Sequence, residues 1–137
     1  MNNYAIPESK RKQDIRLGFD VTSQAHSDLA VLCEVVCTNK MQALTAFNDL
    51  VRISRNIESV CKTLESHPEN SPIFAAYEEC DLARSFLTCV ILKIWTEDNP
   101  PTQQPLEWGD AVVIYGVVFA AMHRLELALE AFAEVTA

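Results

Sequence analysis

The apolar residues of this chain recur at intervals of three and four over most of its length, and that spacing constrains the fold more than any other feature. From Leu29 the row runs Leu29, Cys33, Val36, Lys40, Ala43, Phe47, Leu50, Ser54, Ile57, Cys61, Leu64, and only Lys40 and Ser54 in it are polar. An α-helix turns once in about 3.6 residues, so such a row falls on one face and needs a surface to cover it. A single helix over 23–65 would be about 65 Å long, too long for the later segments to cover in a monomer. The row is interrupted at Thr38-Asn39-Lys40. Two helices are therefore expected, over about 23–37 and about 41–65; one unbroken helix would demand a dimer.

The segment His67-Pro68-Glu69-Asn70-Ser71-Pro72 reads as a loop ending in a helix start, with Ser71 as N-cap and Pro72 in the first turn. The third helix carries Ile73, Ala76, Cys80, Ala83, Leu87, Val90 and Ile94, and Asn99-Pro100-Pro101 stops it. A fourth is expected over about 106–135, with Ala111, Tyr115, Val118, Met122, Leu125, Leu129 and Phe132 in one stripe. Its first half is apolar on every side and rich in β-branched residues, which locally suits a strand. No other segment offers a strand to pair with, so helix is the reading. A helix apolar all round needs cover all round, from the other helices or from a second subunit, and Gly116 with Ala120 would let another helix come close.

The expected architecture is all-α, a four-helix, up-and-down bundle-like domain over 22–137, preceded by a flexible polar arm over 1–21 that holds the basic run Lys10-Arg11-Lys12. A length of 137 residues suits one domain, and only three glycines argue against a many-stranded sheet. Charged residues throughout Met1–Asp20 leave no apolar stretch for an export signal. The longest apolar run, Ala111–Met122, is short for a bilayer span. A soluble cytoplasmic protein is thus expected, with Cys33, Cys37, Cys61, Cys80 and Cys89 as reduced core thiols and no disulfide framework.

Charge is divided unevenly. Met1–Ser66 holds eight acidic and eight basic residues, whereas the remainder holds eleven acidic residues against Arg84, Lys93 and Arg124, so the whole net charge of −8 lies there. Such a surface repels phosphate backbones, and direct nucleic-acid binding is not expected. Two acidic groups stand out as a partner-binding face: Glu78, Glu79 and Asp81 on the third helix, and Glu126, Glu130 and Glu134 at intervals of four on the last.

Motifs for chemistry are missing. No Glu-x-x-His pair supports a di-iron bundle, and His123 with Glu126 gives only the reversed order. Cys33 and Cys37 with Cys61 or His26 lack the short-loop knuckle of a zinc site. Glu78-x-x-Asp81 is half of a paired magnesium motif without its other half. Gly18, Gly109 and Gly116 form no phosphate loop, and no nucleophile elbow is present. Arg52, Arg55 and Lys62 are interleaved with Asp49, Glu58 and Glu65, unlike a DNA-reading helix. The expectation is a non-enzyme without catalytic, cofactor or metal site: an inhibitor or regulator that docks an acidic face on a basic or nucleic-acid-binding surface of another protein. A homo-oligomeric scaffold, as a homodimer, is the first alternative. A metal-dependent helical hydrolase using Glu78, Glu79 and Asp81, with Glu34 or Glu58, is the second. No membrane partner is expected.

Overall fold

Four helices carry the chain: α1 (Glu8–Val36), α2 (Ala43–Leu64), α3 (Pro72–Ile94) and α4 (Trp108–Thr136). They were examined in a computed structural model that describes residues 6–38, 40–69 and 71–136. Each helix packs on its two neighbours in the order α1, α2, α3, α4 and back to α1. The result is an all-α, four-helix, bundle-like domain. The segment 111–119 is helix, not strand.

The buried residues show why the helices pack this way. α2 buries Ala46, Leu50, Ile53, Ile57, Val60 and Leu64; α3 buries Ile73, Ala76, Cys80, Ala83, Leu87, Val90 and Ile94. On α4 the row is Ala111, Ile114, Val118, Ala121, Leu125, Ala128 and Phe132. These intervals alternate three and four, the repeat of about 3.5 residues that keeps a seam facing its neighbours along a left-handed bundle. The row on α4 departs from the expected one. Ile114, Ala121 and Ala128 are buried where Tyr115, Met122 and Leu129 were expected, and Tyr115 is exposed. Alanines at 121 and 128, with Ala76 and Ala83 on α3, let the two helices approach closely, so the small side of α4 faces inward.

The flexible arm over 1–21 is a correction. Residues 1–5 lie outside the described chain, but helix begins at Glu8 and runs unbroken to Val36. Asp14, Ile15, Gly18 and Thr22 are all buried. They continue the seam of Ala25, Leu29, Leu32 and Val36 toward the N-terminus with mostly polar or tiny side chains, which conceals the period. Asp14, Gly18 and Thr22 each meet a specific partner. Thr22 Oγ1 lies 3.6 Å from Cys80 Sγ across the bundle. Asp14 Oδ2 accepts a bond of 2.9 Å from His67 Nε2, which ties the α2–α3 loop to α1, and Lys10 Nζ stands 3.1 Å from the same oxygen. Gly18 leaves room for the Phe132 ring: a Cβ built on Gly18 would sit 2.6 Å from Phe132 Cζ.

α1 and α2 are separate helices, broken between Val36 and Ala43 as the interruption implied. Asn39 lies outside the described residues. No side chain caps α2. Its first amides go instead to a remote loop: Ala43 N–H donates to Gln104 O at 2.9 Å and Leu44 N–H to Thr102 O at 2.8 Å. Leu106 N–H returns a bond of 2.9 Å to Met41 O. α3 begins as expected, with Pro72 in its first turn and Ser71 Oγ accepting from Phe74 N–H at 3.2 Å. It ends at Ile94, whose carbonyl accepts from Asn99 Nδ2 at 2.8 Å.

Two substitutions test this packing. Gly18→Ala forces a methyl group against a buried ring and is expected to lower unfolding free energy in urea by about 1–3 kcal/mol. Asp14→Ala strips His67 of its buried partner, with an expected loss of about 1–3 kcal/mol by the same measurement.

Candidate functional site

The two acidic groups behave differently once folded. On α3, successive residues are rotated by about 100°, so Glu79 points away from Glu78 and Asp81, which stand three apart on the same side. Glu79 turns to α4, where its Oε2 accepts from Arg124 Nη1 at 3.3 Å. Asp81 Oδ1 accepts from Arg84 Nη2 at 2.7 Å, and that bond is the main cause of the raised Arg84 pKa. Glu78 is exposed. Two of the three cations in the acidic half are thus spent on the α3 cluster, and the trio forms no common face.

On α4 the carboxylates stay together. Glu126, Glu130 and Glu134 are all exposed. Glu126 Oε2 stands 3.8 Å from His26 Nε2, within ion-pair range but too far for a hydrogen bond. His26 Nε2 is covered and makes no hydrogen bond among the described residues. No ion pair reaches Glu130 or Glu134 among the described residues. The last turn of α4 holds no basic residue, so these carboxylates add to the negative end of the helix dipole. Arg11, Lys12 and Arg16 of α1 share a cavity of about 450 Å³ with Val135 nearby, although Lys12 pairs with Glu8 at 3.4 Å.

The acidic residues are the far half of a longer exposed row that sequence reasoning missed. It reads Trp108, Val112, Tyr115, Phe119, His123, Glu126, Glu130, Glu134, again in steps of three and four. Its first half is apolar: Phe119 is 62% exposed, Trp108 59%, Val112 48% and Tyr115 44%. The Tyr115 and Phe119 rings lie nearly parallel, 17° apart in plane, with centroids separated by 6.4 Å. The register explains the exposure. Cys33 Sγ meets Met122 Sδ at 3.9 Å in the antiparallel α1–α4 pair, so α1 ends about level with Phe119 and the first turns of α4 run past it. By length and composition Trp108–Val135 is apolar enough to cross a membrane, with mean hydropathy 1.7 over its most apolar window, although its longest uninterrupted apolar run is short.

Residues considered for catalysis or metal binding do not converge. Among the described residues, no group of three His, Cys, Asp or Glu side chains is placed to share an ion. Cys33 faces Met122, whereas Cys61 is buried beside Cys80 and Asp81. Burial, then the neighbouring Cys80 and Asp81, pushes the Cys61 thiol up to about 12. Burial pushes Cys80 up to about 11, against the lowering effect of its Thr22 contact. Cys33 is also raised, by burial and then by Cys37. Such thiols stay protonated and poorly nucleophilic near neutral pH. Cys89 departs from the expected core position and is exposed on α3.

Compared with protein-family models, with curated proteins and with solved structures, the chain matches none.

The thiol environments give a direct test. Iodoacetamide at mildly alkaline pH is expected to label Cys89 in the native protein and spare Cys61 and Cys80, while all five react after unfolding; mass spectrometry of the labelled peptides reads the result.

Proposed function

We propose that this protein acts by protein–protein binding, as an inhibitor or regulator that sets the acidic half of α4 against a basic surface of its partner. One observation carries the reading: Glu126, Glu130 and Glu134 stand exposed in one row at the end of a helix whose last turn has no basic residue. That arrangement works against the helix itself. Like charges at spacing four cost about 0.2–0.5 kcal/mol per pair. Acidic groups at the negative end of the dipole cost about 0.3–1 kcal/mol each, less at high salt. A cationic partner relieves both costs, and the same field speeds encounter with a basic surface.

The reading narrows the acidic face to one helix. Glu79 and Asp81 are held by Arg124 and Arg84, so they serve the bundle rather than a partner. Glu78 lies on the exposed side of α3 and is left out of the core of the face. Cys61 and Cys80 are buried thiols that stay protonated, and the exposed charge on α4 is what supports binding.

The test uses the protein as bait, wild type beside the triple variant Glu126→Gln, Glu130→Gln, Glu134→Gln. A partner of this face is retained by wild type at low salt, falls away as salt rises, and is at least about tenfold weaker on the variant. Binding that is indifferent to both salt and the three substitutions would sink the proposal.

A further inference from the structure

We infer that the apolar half of the exposed row on α4 is the seam of a twofold homodimer, in which the α4 helices of two copies pack antiparallel about the Tyr115–Gly116 peptide bond. The acidic half enters only in setting the direction of packing, and the inference stands independently of the partner reading.

The spacing carries the argument. Starting from that peptide bond, one meets the row members Tyr115, Val112 and Trp108 in one direction and, in the other, exposed Gly116 beside the row and then Phe119 and His123, at matching distances along the chain. A twofold axis there sets Tyr115 against Gly116 of the second copy, Val112 against Phe119, and Trp108 against His123. This is the self-complementary pattern that a twofold interface requires, in which each pair occurs twice. Size matches as well. The Tyr115 and Phe119 rings fall opposite a glycine and a valine, and beyond its own helix backbone and chain neighbours nothing among the described residues lies within 4 Å of a Cβ built on Gly116, so a second helix has room to close on it.

Area is sufficient. With about 150–250 Å² for a whole aromatic side chain, the exposed parts of Trp108, Tyr115 and Phe119 come to about 350 Å² in each copy. Two copies, with Val112 and its neighbour Val113 at the edge of the row added and all of this surface covered, reach roughly 1,000 Å², the lower bound for a specific interface. The other exposed apolar residues, such as Leu17, Val31 and Leu92, stand on other helices and make no comparable run.

Charge selects the direction. Parallel helices would stack Glu126, Glu130 and Glu134 on their own copies. Antiparallel helices keep the two acidic stripes apart at opposite ends of the seam, although each then runs toward Glu107 and Asp110 at the start of the other copy's α4.

Sedimentation equilibrium of the full chain at micromolar concentration is expected to give twice the chain mass of 15.3 kDa. Phe119→Glu should raise the dissociation constant of the dimer by at least about 30-fold, the size of an interface hot spot, with far-UV circular dichroism unchanged. Val112→Lys repeats the test at a second exposed site if Phe119→Glu loses helicity. In a Cys89→Ser background, Gly116→Cys should cross-link the copies on oxidation and Glu134→Cys should not. A wild-type monomer, whether free or bound to phosphatidylcholine vesicles, overturns the proposal. So does a dimer indifferent to both apolar substitutions, or cross-linking through position 134. Partner binding indifferent to salt and to the triple glutamine substitution, with the dimer intact, counts against the acidic docking face alone.

Discussion

The contact between α3 and α4 is the constraint on which the rest of the structure depends. It is the most extensive in the bundle, and small side chains make it so: Ala76 and Ala83 on one helix, Ala121 and Ala128 on the other, all fully buried. Two helices faced with alanine approach more closely than two faced with leucine. Once α4 presents that side to α3, its rotation about its own axis is set. Leu125, Val118 and Phe132 then fill the centre, and Trp108, Val112, Tyr115 and Phe119 are carried to the outside. The exposed aromatic row is thus a consequence of close helix packing on the opposite side.

The same rotation shows what could be read from the residues alone. α3 was legible throughout, because Ser71-Pro72 marks its start and its buried row is continuous in the sequence. α4 was legible as a helix but not in its rotation, since Tyr115, Met122 and Leu129 make a more apolar stripe than Ile114, Ala121 and Ala128. Hydrophobicity ranks the first row higher; packing selects the second. The first turns of α1 were illegible for another reason. Asp14, Gly18 and Thr22 occupy seam positions whose partners, His67, Phe132 and Cys80, lie far along the chain, so their fitness for burial appears only with the fold.

The candidate face followed a similar course. Its acidic half could be found from spacing, because three glutamates at intervals of four need only helical geometry to align. The cluster at Glu78, Glu79 and Asp81 looked denser in the sequence, yet helix rotation turns Glu79 away from the other two, and Arg124 and Arg84 take up Glu79 and Asp81. Arg124 comes from another helix, so its claim on Glu79 could not be inferred from neighbours in the chain. The apolar half was hidden inside a segment that is hydrophobic on every side, where no periodicity distinguishes the covered face from the open one.

The backbone bonds at the start of α2 bear on the order in which the molecule assembles. Ala43 and Leu44 find their acceptors at Gln104 and Thr102, beyond the whole of α3, and among the described residues no side-chain cap hydrogen bond is made at the start of α2. The first turn of α2 is therefore completed only when a long loop has closed, at an entropic cost that local helix formation cannot offset. The far end of the same helix needs no such closure, because His67 and Asp14 join segments already brought together by the α1–α2 hairpin. The junction of 41–44 with 102–106 is thus a long-range clasp that holds the start of α2 to the α3–α4 loop.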